Sequence, residues 1–185
     1  NAYQQNFGGA KDGFVAKFTS MGSLVWATYY GGSNDDIFTN IISTVNGDVY
    51  AIGATKSTQS IATANSFQST YGGGEDAMLV KFNAVGQRLW ATYYGGADLD
   101  RTIGLATNGT NKIFITGATL STSNIATLGS FQSSYAGAGD GYIVCFTPQG
   151  TRDWATYVGG ANPDHVGSVV YDNGVLFVCG GTSSP

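Results

Sequence analysis

Charge is scarce in this chain. Asp, Glu, Lys and Arg make up 11% of the 185 residues, and twelve acidic against eight basic groups leave a formal net charge of −4. Eight scattered Lys and Arg form no patch for a phosphate backbone, so nucleic acid is excluded as a partner. No run of about 18 apolar residues occurs, and the expectation is a protein that does not span a membrane. Apolar residues are nowhere spaced at helical period between good caps, so essentially no helix is expected. The two cysteines, Cys145 and Cys179, lack metal-type spacing; inert thiols are the plainer reading, and a disulfide between them stays open. The chain starts at Asn1 with neither an initiator Met nor a signal-like segment, and reads as a mature or excised piece.

A hydrophobic share of 42% with so little charge rules out a disordered, charge-rich tail. The polarity comes from Gly, Ser, Thr, Asn and Tyr, a bias typical of short strands joined by tight turns and common on exported proteins.

The apolar residues repeat. Trp26, Trp90 and Trp154 stand 64 residues apart, and each opens the phrase Trp-Ala-Thr-Tyr. The same period aligns Phe18, Phe82 and Phe146, the pairs Gly31-Gly32, Gly95-Gly96 and Gly159-Gly160, and then Gly53, Gly117 and Gly181. Tyr3-Gln4-Gln5 is the N-terminal trace of a segment that recurs as Ser66-Phe67-Gln68-Ser69 and Ser130-Phe131-Gln132-Ser133. The chain is one repeat-built segment, 1–185, with repeats at about 3–66, 67–130 and 131–185.

Each repeat holds four runs rich in β-branched and aromatic residues, in the first Gly13–Phe18, Leu24–Tyr30, Phe38–Thr44 and Asp48–Ala54. Turn chemistry separates them, including an Asn46-Gly47 hairpin signal. Four strands of ordinary length fill 64 residues, so one repeat is one four-stranded antiparallel sheet. Such sheets in tandem read as an all-β fold, a β-propeller whose Trp and Phe residues pack between blades. Three blades' worth of sheet do not close a ring of four to eight, so the propeller is expected to be incomplete, completed by remaining blades of the same chain or by other copies.

The phrases Asp12-Gly-Phe-Val-Ala-Lys-Phe, Leu24-Val-Trp-Ala-Thr-Tyr-Tyr-Gly-Gly and Asp48-Val-Tyr-Ala-Ile-Gly-Ala-Thr resemble the bacterial SBBP repeat, named for the seven-bladed β-propeller. The repeated interblock loop is similar to versions in secreted or surface proteins of gliding, type 9-secreting bacteria. The resemblance implies an extracellular or cell-surface address and no assigned activity. Analogy with related propellers implies that Phe38–Thr44 is the innermost strand, followed outward by Asp48–Ala54, Ala77–Phe82 and Leu89–Tyr94. Blades would then straddle the repeat boundaries, giving two whole blades, an outer pair at the N-terminus and an inner pair at the C-terminus.

That strand order puts two kinds of loop on one face. The first carries Asn34 and Asp36, Asp98 and Asp100, Asn162 and Asp164; the second is long and contains Tyr71 or Tyr135. Oxygen ligands spaced by one residue suit calcium, with Asp36, Asp100 and Asp164 as metal candidates, although no bidentate Glu accompanies them. The plainer reading has these Asx side chains capping their own turns. No cofactor is called for unless calcium binds there. Catalysis has little support: Asp164-His165 is the only acid–base candidate, it is not repeated, and no Gly-x-Ser-x-Gly elbow occurs. The sequence therefore points to a non-catalytic extracellular scaffold or ligand-presenting module, an adhesin among the options, whose partner is a protein or glycan at the cell surface. A carbohydrate-binding module with Asp, Asn and Tyr contacts between blades is the alternative, and a hydrolase the last.

Overall fold

A computed structural model of the chain describes residues 2–185. It contains twelve strands: β1 (Gly13–Phe18), β2 (Leu24–Tyr30), β3 (Asp36–Ser43), β4 (Val49–Thr55), β5 (Asp76–Phe82), β6 (Arg88–Tyr94), β7 (Asp100–Thr107), β8 (Ile113–Thr119), β9 (Asp140–Phe146), β10 (Arg152–Val158), β11 (Asp164–Asp172) and β12 (Val175–Thr182). No helix occurs among the described residues. All pairings between named strands are antiparallel, and they form two four-stranded sheets, β3-β4-β5-β6 and β7-β8-β9-β10, flanked by the two-stranded sheets β1-β2 and β11-β12. The fold is thus an all-β, incomplete propeller, and its blades straddle the sequence repeats. The inner strands begin two residues earlier than the apolar pattern suggested, because the Asp36 N–H already bonds the Lys11 carbonyl.

Innermost strands meet round the axis. β3 packs on β7 and β7 on β11, Thr39 and Thr102 share a hydroxyl hydrogen bond of 3.0 Å, and the Thr116 hydroxyl donates to the Gly167 carbonyl. The register of each inner strand shifts once, between Phe38 and Asn40, Thr102 and Gly104, and Val166 and Val169. Such bulges bend the strand and increase its twist.

Outer strands show what a neighbouring blade contributes. In β6 both Tyr93 and Tyr94 are buried, because a sheet covers each face. In β2 alternation survives: Trp26, Thr28 and Tyr30 are buried, whereas Tyr29 lies exposed. Each tryptophan serves the boundary to the next blade. Gly86, at φ +82°, lies so close over the Trp26 ring that a Cβ there would stand 2.8 Å from it, and Gly150 sits over Trp90 in the same way. The indole N–H of Trp26 donates to the Ala84 carbonyl and that of Trp90 to Pro148.

Two expectations are corrected. Phe82 and Phe146 are fully buried, but Phe18 is 58% exposed, because Trp26 and Tyr30 of the preceding sheet pack on Phe82, and Phe67 and Tyr94 of the preceding blade on Phe146, whereas no sheet among the described residues lies on that side of Phe18. The glycine that matches Gly53 and Gly117 is Gly180, not Gly181. A Cβ on Gly53, Gly117 or Gly180 would overlap the carbonyl of Ile37, Arg101 or His165 respectively, the same place in each blade. One residue has been lost in the β11–β12 hairpin, where Asn173 and Gly174 both take positive φ, as a tight two-residue turn requires. Cys179 consequently stands at the position of Ile52 and Thr116. Cys145 is buried in β9, Cys179 is exposed, and both thiols are free.

Candidate functional site

The Gly-Gly loops and the long β4–β5 and β8–β9 loops emerge on one face, and the same hydrogen-bonded network recurs at each blade boundary. Its organiser is a glutamine. The backbone N–H of Gln4, Gln68 and Gln132 donates to the hydroxyl of Thr28, Thr92 and Thr156. Their side-chain carbonyls accept from the N–H of Gly31, Gly95 and Gly159, and their amides donate to Asp12, Asp76 and Asp140.

Opposite each of these aspartates stands a second one, from the inner strand of the next blade. A Cβ on Gly31 would lie 2.5 Å from Asp12 Oδ1 and 2.8 Å from Asp36 Oδ2; on Gly95, 2.6 Å from Asp100 and 2.9 Å from Asp76; on Gly159, 2.7 Å from Asp140 and 2.9 Å from Asp164. The glycine is required because two carboxylates fill the space. Asp36 accepts from the Gly32 N–H at 2.7 Å, from the Ser57 hydroxyl at 2.7 Å and from Thr55. Asp100 accepts likewise from Gly96, Ser121 and Thr119, and Asp164 from Gly160, Ser184 and the Ser183 N–H. On the other side, Asp12, Asp76 and Asp140 accept from Gly8, Gly72 and Ala136. The Oδ1 atoms of Asp12 and Asp140 are buried without a hydrogen-bond partner.

Burial and the facing carboxylate decide the charge. Burial raises Asp76 to about 7, against the lowering hydrogen bond from Gly72, and nearby Asp100 adds to the rise. Burial also raises Asp36, Asp100 and Asp140. Asp164 is held down at about 2, chiefly by its hydrogen bond to Thr182.

The sequence-predicted residues fall into two groups. Asp36, Asp100 and Asp164 are buried turn anchors, the capping arrangement set against calcium above. Asn34 and Asn162 are exposed and donate to the carbonyls of Lys56 and Ser183, and the backbone N–H groups of Asn34, Asp98 and Asn162 are held by Ser57, Ser121 and Ser184. Tyr71 and Tyr135 turn edge-on to Tyr93 and Tyr157, and the Tyr71 hydroxyl donates to Gly74. Asp164 and His165 are neighbours in a strand whose side chains alternate, so the buried carboxylate and the exposed imidazole point apart. Among the described residues no group of three or more His, Cys, Asp or Glu is gathered for a metal ion.

Sequence reasoning missed the partner aspartates and the glutamines. The signal was present in the recurring eight-residue interval from Gln4 to Asp12, Gln68 to Asp76 and Gln132 to Asp140. It also missed a repeated cleft that borders the network. One copy, of about 470 Å³, lies over Gly31-Gly32 beside Tyr3, Gln4 and Ser60. Another, of about 380 Å³, lies over Gly95-Gly96 beside Phe67, Gln68 and Asn124. Ser60 and Asn124 occupy equivalent places and hold left-handed conformations at φ 70° and 68°, a local strain that recurs where loops are shaped for contact. Tyr3 and Phe67 carry a guanidinium over their rings, from Arg88 and Arg152.

Residues 124–153, from the first part of the β8–β9 loop through β9 to the start of β10, match the family model described as "Domain of unknown function (DUF5122) beta-propeller". A search of curated proteins finds no match.

Proposed function

We propose that this chain is a non-catalytic scaffold or ligand-presenting segment of a secreted or cell-surface protein, of the SBBP-repeat type that its Trp-Ala-Thr-Tyr-Tyr-Gly-Gly phrases resemble. The observation that carries the reading is repetition: the Gln–Asp–Gly–Asp network is built alike at every boundary. Side chains tied this way shape loops and fix blade spacing. A reaction centre needs groups that differ from the repeat, and the one such pair, Asp164 and His165, diverges in space. The low charge and the Ser, Thr, Asn and Tyr surface suit an extracellular address.

The two clefts favour a second reading, a lectin-like module. Each offers glycine backbone, an amide and an aromatic edge, the contacts that polar sugar rings use. A glycan array probed with the chain separates the two. Absence of glycan binding, with unchanged turnover of hydrolase substrates by His165→Ala, supports the scaffold. Saturable binding abolished by bulky replacement of both Ser60 and Asn124 would replace it with the lectin reading.

A further inference from the structure

Two arginines in this acidic chain are partly buried without an acid to meet. Lys56, Lys81, Arg101 and Lys112 are each paired with a carboxylate. Arg88 and Arg152 pair with none among the described residues, yet both are half-buried, whereas the other unpaired cations, Lys11 and Lys17, stand exposed in water. The repeat puts the two arginines in equivalent places, over the ring of Tyr3 at 4.4 Å and of Phe67 at 4.6 Å. Each donates through Nη1 to a loop carbonyl, Arg88 to Ile61 at 3.3 Å and Arg152 to Ile125 at 3.0 Å. An uncharged donor would serve those carbonyls as well. Apart from the aromatic ring, nothing in the chain uses the positive charge, and taking it partly out of water is costly.

We propose that the glycine-floored clefts at the two blade boundaries bind sugars that carry a carboxylate, with Arg152 receiving it at one boundary and Arg88 at the other. The proposal rests on the lectin-like reading of these clefts and adds the chemical class of the sugar.

Arg152 lines the cleft of about 380 Å³ over Gly95-Gly96. Its Nη1 is shared between the carbonyls of Asn124 and Ile125, and its Nε and Nη2 have no acceptor among the described residues. Ring and carbonyls together hold the guanidinium plane, so the unused N–H groups are set before a ligand arrives. A carboxylate matches that fork because it is planar and accepts two parallel N–H bonds. Around it, the side chains of Thr70, Ser123 and Asn124 line the cleft and make no hydrogen bond among the described residues, which leaves them for sugar hydroxyls. The acids of this boundary do not oppose an anion directly: Asp76 and Asp100 are fully buried, are no part of the cleft lining, and accept from Gly72 and Gly96. At the other boundary the cleft of about 470 Å³ beside Tyr3 presents Gln59 and Ser60 in the same places, with Arg88 over the tyrosine. Both volumes lie in the range of about 300 to 1,000 Å³ that small ligands occupy.

NMR titration of the chain with matched sugars tests the assignment: methyl glucuronide against methyl glucoside, and methyl galacturonide against methyl galactoside. Within each pair only a carboxylate replaces a hydroxymethyl group. At least one uronide is expected to bind about tenfold or more tighter than its neutral partner, shifting the amides of Ser60 and Asn124. Replacing both arginines, Arg88→Gln with Arg152→Gln, should erase that preference and leave the neutral sugar's affinity in place. Because these arginines also bond loop carbonyls, a second pair of variants, Ser33→Asp with Ala97→Asp, puts a negative charge at an exposed lining position of each cleft without touching a blade contact. It should weaken uronide binding by a similar factor, with thermal unfolding unchanged. Equal binding of uronide and neutral sugar, or a preference that survives both pairs of substitutions, overturns the proposal and leaves the lectin-like reading standing. Binding of none of the four sugars also overturns it, and the glycan array then decides the lectin-like reading separately.

Discussion

Replacing Asp76 by asparagine should stabilise this protein at alkaline pH, although it removes a fully buried, hydrogen-bonded side chain. Asp76 Oδ2 accepts from Gly72 at 2.7 Å and from Gln68 at 3.1 Å, while Oδ1 accepts from Gly73 at 3.3 Å and faces Asp100 across Gly95. Burial first and Asp100 second lift it from 3.8 to about 7 in the folded chain. The folded state therefore holds this proton more tightly than the unfolded chain. Its contribution is complete below pH 4 and is lost as pH rises toward 7. At about 1.4 kcal/mol for each pH unit of that rise, ionisation costs the folded state about 4 kcal/mol by pH 8. An amide cannot ionise: its oxygen can replace Oδ2, and its NH₂ can donate toward Asp100. Weaker hydrogen bonds from Gly72 and Gln68, and the loss of the long one from Gly73 to Oδ1, give back about 1 to 2 kcal/mol. Urea unfolding at pH 8 should then show Asp76→Asn more stable by about 2 to 3 kcal/mol, at pH 4 no gain or a small loss, and between them a flatter stability profile than the parent's. A variant less stable at pH 8, with the parent's slope intact, would refute the facing-carboxylate argument.

Glycine substitutions should separate conformation from space. Gly109→Ala, at φ +78° in open surroundings, is expected to cost about 1 to 2 kcal/mol, whereas Gly117→Ala meets the Arg101 carbonyl and the Tyr142 ring and should cost about 3 kcal/mol or more, both by denaturant titration. Tyr94→Phe removes a buried 2.8 Å bond to the Ile125 carbonyl, but Arg152 still donates to that oxygen at 3.0 Å, so the loss should stay near 1 kcal/mol. Thermal unfolding in calcium and in chelator should coincide, since Asp36, Asp100 and Asp164 already accept bonds from Thr, Ser and Gly; a rise of several degrees in calcium would instead mean that the unpartnered Oδ1 of Asp12 or Asp140 takes part in cation binding.

Much of the fold was legible because the repeat displays it three times. Trp26, Trp90 and Trp154 fixed the period, and Asn46-Gly47 marked a turn that the structure contains. The one-residue loss before β12 was hidden because Gly180 and Gly181 are adjacent, so a glycine aligned with Gly53 and Gly117 whichever register was read. Only the backbone approach of His165 to Gly180 distinguishes them. Phe18 misled for another reason: its residue type repeats, but Phe82 and Phe146 are buried by aromatic rings of the preceding blade, and Phe18 has no such neighbour among the described residues. The facing carboxylates were invisible because Asp12 and Asp36 are 24 residues apart and come from different blades. Spacing within one loop suggested a calcium ligand set, whereas the contacts that occupy Asp36 come from Thr55 and Ser57, across the hairpin.

One indole stands at each boundary between successive blades, and the three differ in cover. Trp26 and Trp90 are capped by a glycine turn and bonded to a carbonyl, while Trp154 has neither among the described residues. The molecule therefore carries its own optical reporters, one per boundary. Chains that keep a single tryptophan, with phenylalanine at the other two positions, would emit from one seam at a time. The red shift of each emission would time the loosening of that seam apart from its neighbours. A stack of blades that opens from an end would show the colours change in order, and one that opens as a unit would show them change together.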